Sequence, residues 1–277
     1  DSPFVYNSIS DKLDAIAPFP GQDGGSITVS KDGNWYAFLS TRFEQRAQGW
    51  EALTIVKSDF SEYDVIQDQS GNLIHSEDRA FVFSNGTAVV FVADFGNHTR
   101  DIFVMHKTGN KWGDPINITE NSSFAFNYYP YLSADGKSIL FDASNSSWPS
   151  TAIGTVNIDG SNINFPITTS SIPNCVATHS PSYNYAGDLI FEADDGTERI
   201  WKLPAGSIKP VLLNSSANND NSPISLSDNR IASLWFPGNW HQIKIMNADG
   251  SGYTMITDSS ALFTEVFDTG LSTFSKT

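Results

Sequence analysis

The chain has 277 residues, of which 39% are hydrophobic and 13% aromatic, and this composition excludes an intrinsically disordered protein. Its formal net charge of −15 argues against nucleic acid and anionic membranes as partners, because both require a basic surface. The one cysteine, Cys175, excludes an internal disulfide and a cysteine-based zinc site, and no apolar run approaches the roughly 20 residues of a membrane helix.

Short runs of alternating apolar residues, separated by Gly, Pro, Asn, Asp and Ser, follow one another along the chain. A period of two with such turn residues predicts β-strands, and no helix longer than a turn is expected. Four strands recur in units of about forty residues, a length typical of propeller blades. The predicted units cover approximately residues 25–70, 76–121, 127–170, 178–216 and 220–260.

Two further strand pairs lie at the ends of the chain, within residues 3–20 and 262–277. Together they would form a composite sixth blade, and such a blade closes a propeller ring and hides the sheet edges. The sequence therefore predicts an all-β fold, a six-bladed β-propeller that occupies residues 1–277 as one domain.

Several units carry recurring turn motifs. The fifth contains SPISLSDNRIASLW followed by IKIMNADGSGYTMIT, the third contains YPYLSADGKSILFDAS and TVNIDGSNINFPIT, and the fourth contains HSPSYNYAGDLIFEAD. These stretches resemble the WD40-like repeat of the TolB-like propeller family. The resemblance implies the propeller fold. For function it implies a wide range, because the family includes the periplasmic component TolB, oligogalacturonate lyases and many secreted proteins of unknown role.

The innermost strands of a propeller start at one face of the central channel, so the residues just before them are expected to converge there. These residues form six segments: Gln22–Gly24, Ser76–Arg79, Phe126–Tyr128, Ala177–His179, Asn218–Asn221 and Phe263–Glu265. The predicted binding residues in this set are Glu77, Asp78, Asn127, Asn219, Asp220, Asn221 and Glu265.

Three residues of the same set could support catalysis by a lyase on a uronic-acid glycan. Arg79 would neutralise the uronate, His179 would act as general base, and Tyr128 would donate a proton. The alternatives are an ion pair of Arg79 with Glu77 or Asp78, and a turn position for His179. We expect the neighbouring Tyr129 to belong to the core because it begins a strand.

Carboxylates of the set could bind a hard cation such as Ca²⁺, with Asp23, Asp220 and Glu265 as candidate ligands. A solvated acidic rim explains the same residues. Two tryptophans, Trp148 and Trp240, lie in connections between a second and a third strand. We expect them on the opposite face or the rim, either as carbohydrate platforms or as caps of blade edges.

Six Asn-X-Ser/Thr sequons are candidate glycosylation sites: Asn85, Asn97, Asn117, Asn121, Asn145 and Asn214. With a first residue other than Met, they favour a secreted protein, and a bacterial periplasmic protein is the alternative. We expect a monomer that binds a glycan or an extended peptide, without nucleic acid or membrane insertion. The alternative function is the lyase, and a scaffold without a small-ligand site is a third possibility.

Overall fold

The structure is a computed structural model that describes residues 4–7, 12–15, 27–40, 46–47, 50–83, 85–95, 99–133, 135–213, 219–226, 228–236 and 242–256. These residues form an all-β propeller whose longest helix is a single 3₁₀ turn, Thr169–Ser171. Among them no helix is long and apolar enough to span a membrane.

The described strands begin with a hairpin and two blades. The hairpin consists of β1 (Phe4–Asn7) and β2 (Lys12–Ala15). Blade 1 consists of β3 (Thr28–Val29), β4 (Trp35–Ser40), β5 (Arg46–Ala47), β6 (Trp50–Lys57) and β7 (Tyr63–Val65). Blade 2 consists of β8 (Phe81–Val82), β9 (Ala88–Ala93), β10 (Asp101–Thr108), β11 (Lys111–Trp112) and β12 (Ile116–Asn117). In both blades one extra short strand accompanies the basic four.

The remaining three blades have four antiparallel strands each, paired in chain order. Blade 3 consists of β13 (Phe126–Leu132), β14 (Ser138–Ser144), β15 (Ala152–Asn157) and β16 (Asn164–Thr168). Blade 4 consists of β17 (Ala177–Tyr183), β18 (Leu189–Asp194), β19 (Glu198–Leu203) and β20 (Val211–Leu212). Blade 5 consists of β21 (Asn219–Ser225), β22 (Ile231–Phe236), β23 (Gln242–Met246) and β24 (Thr254–Met255).

The described residues of the propeller therefore form five blades built on four strands each. The prediction of six blades is corrected to five. Of the predicted composite blade, the hairpin β1–β2 is described, and each of its strands pairs only with the other within the described residues. The predicted C-terminal strands of that blade lie in residues 257–277, outside the described part of the chain.

The first strand of each blade is the innermost one, because the first strands of consecutive blades contact one another from β3 to β21. The core lies between the blades and is built mainly from their second strands. Phe91, Phe141 and Phe191 occupy equivalent positions in β9, β14 and β18, and all three are fully buried. Gly154 faces the Phe141 ring so closely that a Cβ would lie 2.2 Å from it, which explains a glycine inside β15.

The predicted Asp-Gly turns are present and show why they recur. In the turn after β13, Asp135 Oδ1 accepts hydrogen bonds from the Ser133 hydroxyl (2.7 Å) and from the Lys137 backbone N–H (3.1 Å). Gly136 follows with a φ of 68°, a conformation that glycine adopts without strain. These residues determine turn geometry and lie away from the starts of the innermost strands.

Candidate functional site

The starts of the first strands, the ends of the second strands and the connections from second to third strands all lie at one face, which we call the entry face. This follows from antiparallel pairing, since a chain that runs down β13 and back along β14 returns to its starting level. Trp148, in the connection from β14 to β15, therefore lies on the entry face. This corrects the expectation that Trp148 lies on the opposite face.

Three innermost strands share a β-bulge at this face, where one residue has a positive φ: Tyr129 (51°), Ser180 (52°) and Ser222 (49°). Each bulge turns a backbone N–H towards a carboxylate of the preceding blade. The donor and acceptor pairs are Tyr129 to Asp78 (2.6 Å), Ser180 to Asp142 (3.2 Å) and Ser222 to Glu192 (3.1 Å). Strands β13 and β17 begin before the bulges, at Phe126 and Ala177, so the two segments expected to precede them lie within them.

Burial controls the acidity of these three carboxyl groups. It raises the pKa of Asp78 to about 6, against the opposing effect of the Arg79 charge. It likewise raises the pKa of Asp142 above its usual range, and the pKa of Glu192 to about 8 in spite of the nearby His179. The entry face thus holds three carboxyl groups that are harder to ionise than ordinary surface acids.

Asp142 is the centre of a group of side chains that we call the Asp142 cluster: Arg79, Tyr128, Asp142, Trp148, Ser150 and His179. The Ser150 hydroxyl lies 2.9 Å from the Tyr128 hydroxyl and 3.3 Å from Asp142 Oδ2. His179 Nδ1 lies 3.7 Å from the same carboxylate oxygen. Burial by itself would lower the pKa of His179, but the Asp142 carboxylate raises it above the ordinary value.

An aromatic stack covers this cluster. The Trp148 indole lies parallel to the His179 ring, with an angle of 3° and 4.5 Å between ring centres. Trp148 is 59% exposed, whereas His179 is 6% exposed. His179 lies within β17 rather than in a turn, so a rigid strand holds the ring beneath the indole.

The two tyrosines of β13 have exchanged their expected roles. Tyr128, the expected ligand residue, is 2% exposed and its hydroxyl contacts Ser150. Tyr129, the expected core residue, is only partly buried, and the Arg79 guanidinium lies 5.0 Å from its ring centre. The expectation depended on Tyr129 beginning a strand, but β13 begins at Phe126 and Tyr129 lies inside it, at the bulge.

Arg79 forms no ion pair with Glu77 or Asp78. Its backbone N–H donates to Asp78 Oδ1 at 2.6 Å, and Glu77 instead lies 3.6 Å from Arg100. The structure thus brings the three proposed lyase residues, Arg79, Tyr128 and His179, around Asp142, and each of them is nearly buried.

Three polar atoms of the cluster are buried without a hydrogen-bond partner among the described residues. They are Asp142 Oδ1, His179 Nδ1 and Arg79 Nε. One is an acceptor, and the other two can donate a hydrogen. A buried polar atom without a partner is uncommon in native structures and often marks a place where a ligand or an ordered water binds.

The other predicted binding residues do not join this cluster. Asn127 is fully buried, and its amide bonds to Asp101, Ser122 and the Phe124 carbonyl. Asp220 Oδ2 accepts a 2.8 Å hydrogen bond from Lys244 Nζ, and both residues are buried.

Asn219 is exposed and Asn221 partly buried at the start of β21. The remaining predicted residues, Asp23, Trp240 and Glu265, lie outside the described residues.

The calcium prediction depended on Asp23, Asp220 and Glu265, of which the structure describes Asp220 alone. The Lys244 ammonium already occupies the place of a cation beside Asp220. Within the described ranges no three His, Cys, Asp or Glu side chains are grouped so that they could hold a metal ion.

The sequence analysis did not propose three residues of this face as site residues, namely Asp142, Glu192 and Ser150. The sequence nevertheless contains a signal for the first two. The motifs FDAS and FEAD place a carboxylate at the centre of an otherwise apolar strand, where blade 2 has Val92 in FVAD. A buried charge is costly, so an acid at such a position indicates a specific partner or role. Ser150 gives no comparable signal.

The described sequons differ in accessibility. Asn85, Asn121 and Asn145 are exposed. Asn117 is partly buried, and its side-chain amide donates to Asp101 while its oxygen accepts from Thr119. The other two, Asn97 and Asn214, lie outside the described residues.

No family model matches the chain, and no curated protein sequence is similar to it. Solved structures do match. The putative TolB from Agrobacterium tumefaciens has a TM-score of 0.71 at 14% identity, over 92% of this chain and 88% of that protein. TolB from Acinetobacter baumannii has a TM-score of 0.55 at 15% identity, over 82% of this chain and 53% of the other.

Part of a prolyl endopeptidase also matches, with a TM-score of 0.58 at 12% identity, over 90% of this chain and 38% of that one. At these identities the likeness shows the fold alone. The structural neighbours of this chain thus include TolB-like propeller proteins, and the chain shares their β-propeller architecture.

Proposed function

We propose that this protein is a binding propeller that takes a glycan or an extended peptide on its entry face. One observation supports this above the others: Trp148 is 59% exposed and its ring is stacked on the buried His179. A large exposed aromatic ring held in one orientation loses little entropy on binding, and such residues often mark recognition sites. The raised pKa values of Asp142 and Glu192, whose charges act on His179 beneath this ring, indicate a site that is partly withdrawn from water.

A polysaccharide lyase is the second candidate. It is favoured because Arg79, Tyr128 and His179 share Asp142 as a neighbour. The exposed fractions of these residues, 5%, 2% and 6%, count against it, since a uronate must reach all three. Binding is therefore the better-supported function.

A peptide is retained as a ligand class because parts of peptidases share this fold. The net charge of −15 favours neutral or basic ligands over polyanions. We also propose that the protein works outside the cytoplasm, secreted or periplasmic, since three described sequons are exposed.

The test is a binding screen with the Trp148→Ala variant. Glycans and extended peptides are offered to the wild-type protein and to the variant, and a matched control variant, Tyr185→Ala, is measured beside them. Tyr185 is 58% exposed, but it lies in the turn between β17 and β18, at the opposite face. We expect Trp148→Ala to abolish binding of every hit and Tyr185→Ala to leave it unchanged.

Two outcomes would contradict this proposal. In one, the hits bind equally well to the Trp148→Ala variant. In the other, a uronic-acid polysaccharide is cleaved to products that absorb in the ultraviolet, and Arg79→Ala or His179→Ala removes that activity. The second outcome would assign the lyase function.

A further inference from the structure

We propose that a glycan attached to Asn145 covers the exposed ring of Trp148 and competes there with ligands of the entry face. The inference concerns regulation of the proposed site and rests on the proposed function. Asn145, Ser146 and Ser147 form a sequon, and Trp148 follows it directly. All four residues belong to the connection from β14 to β15, and all four are exposed.

The side chain of Asn145 is suited to modification. Its Oδ1 accepts a hydrogen bond from the Ala125 backbone N–H at 3.4 Å. This contact uses the oxygen, whereas an N-linked glycan is attached to the amide nitrogen. Asn117 differs, because its amide nitrogen donates to Asp101 at 3.0 Å. Asn145 therefore combines exposure with an attachment atom that its bond to Ala125 leaves unused.

A glycan at this position would begin close to the indole. Trp148 lies three residues beyond Asn145, and three residues of fully extended chain span at most about 11 Å. Local hydrogen bonds keep the connection more compact than this limit. The Ser144 hydroxyl donates to the Ser146 carbonyl oxygen, and the Ser146 hydroxyl donates to the Trp148 carbonyl oxygen at 3.3 Å. A chain of a few sugar rings spans the distance that remains.

The indole offers a sugar ring one of its faces. His179 covers the other face, with the two rings parallel within 3° and their centres 4.5 Å apart. Trp148 is nevertheless 59% exposed. Sugar rings present C–H faces, which suit an apolar aromatic surface. The contact requires only the exposed indole, and the buried polar atoms beneath the stack take no part in it.

Attachment compensates for the weakness of a single contact between a sugar and an indole. A short flexible tether gives the tethered group an effective concentration in the millimolar range, so a contact with a Kd of about 1 mM is occupied about half of the time. A glycan on Asn85 gains no such advantage. Asn85 is also exposed, but it lies in the turn between β8 and β9, at the opposite face.

The test measures how fast hydroxyl radicals oxidise Trp148, by mass spectrometry of the peptide that contains it. Wild type, Ser147→Ala and Thr87→Ala are produced in a host that attaches N-linked glycans. Ser147→Ala removes the sequon of Asn145 without changing Asn145 itself, and Thr87→Ala removes the sequon of Asn85 as the matched control. The same proteins from a host without N-glycosylation show whether a substitution by itself changes the rate. Enzymatic removal of the glycans from wild type is the second route to the same comparison.

We expect a glycan on Asn145 of the wild type, and an oxidation rate of Trp148 that rises about twofold or more when this glycan is removed by either route. Thr87→Ala should leave the rate unchanged. Hits of the binding screen should bind to Ser147→Ala about twofold or more tightly than to the glycosylated wild type.

Three results would overturn the inference while the proposed function stands. They are an unmodified Asn145 in that host, equal oxidation of Trp148 with and without the glycan, and an equal rise in Thr87→Ala, which would show that the effect is not local. Shielding of Trp148 without any screened ligand that depends on Trp148 would instead overturn the proposed function, and the competition with it.

Discussion

Replacing Glu192 with glutamine should remove a large part of the pH dependence of folding stability. Glu192 is 5% exposed, and burial raises its pKa from 4.5 to about 8. Between these values the folded protein holds a proton on Glu192 that the unfolded chain has released. Stability therefore falls as pH rises through this window, and the loss is complete above the folded pKa. The Ser222 N–H can still donate to the glutamine oxygen, so the link between blades 4 and 5 is kept.

The magnitude follows from the linkage relation. One proton of difference changes the unfolding free energy by about 1.4 kcal/mol for each pH unit, which amounts to about 2.5 kcal/mol between about pH 5.5 and pH 7.5. Chemical denaturation of wild type and Glu192→Gln across this range measures the difference. The other charged groups that face Glu192 are His179, Glu198 and Asp142, and they are present in both proteins.

We expect Glu192→Gln to gain stability relative to wild type as pH rises from about 5.5 to about 7.5. Parallel stability curves for the two proteins would refute the reasoning, because they would mean that Glu192 has the same proton affinity in the folded and unfolded states. An opposite trend would mean that its folded pKa is lowered.

Three further predictions concern stability and modification. Lys244→Met should destabilise the fold by about 3–5 kcal/mol because it leaves the buried Asp220 carboxylate without its cation, and the double variant Asp220→Asn/Lys244→Met should recover much of this loss in denaturant melts. Gly154→Ala should cost about 1–3 kcal/mol, since its Cβ would lie 2.2 Å from an aromatic ring, and an unchanged melting temperature would contradict that contact. In a glycosylating host, mass spectrometry should find glycan on the exposed Asn121 and not on Asn117, whose amide is bonded internally.

Strand periodicity and turn residues were sufficient to predict the all-β propeller and the Asp-Gly turns, because both are local properties of the chain. The number of blades is not a local property, because it depends on which distant strands pair with one another. The sixth blade depended on pairing residues 3–20 with residues 262–277, and the structure describes five four-stranded blades with a separate N-terminal hairpin.

The convergence of strand starts at one face followed from the topology, and it correctly brought Arg79, Tyr128 and His179 together. The same topology places Trp148 at that face, and its contact with His179 agrees with this. Which tyrosine faces outward depended on a β-bulge, and a single inserted residue reverses the alternation without changing the composition.

The sequence by itself determined the strand pattern, the turns and the acidic character of the protein, since these depend on neighbouring residues and on totals. Tertiary structure alone decided that Asp142 and Glu192 accept backbone hydrogen bonds from the next blade, and that Asp220 is paired with Lys244. The physical reason is that a carboxylate's role depends on its burial and its partners, and these come from strands that are distant in the chain.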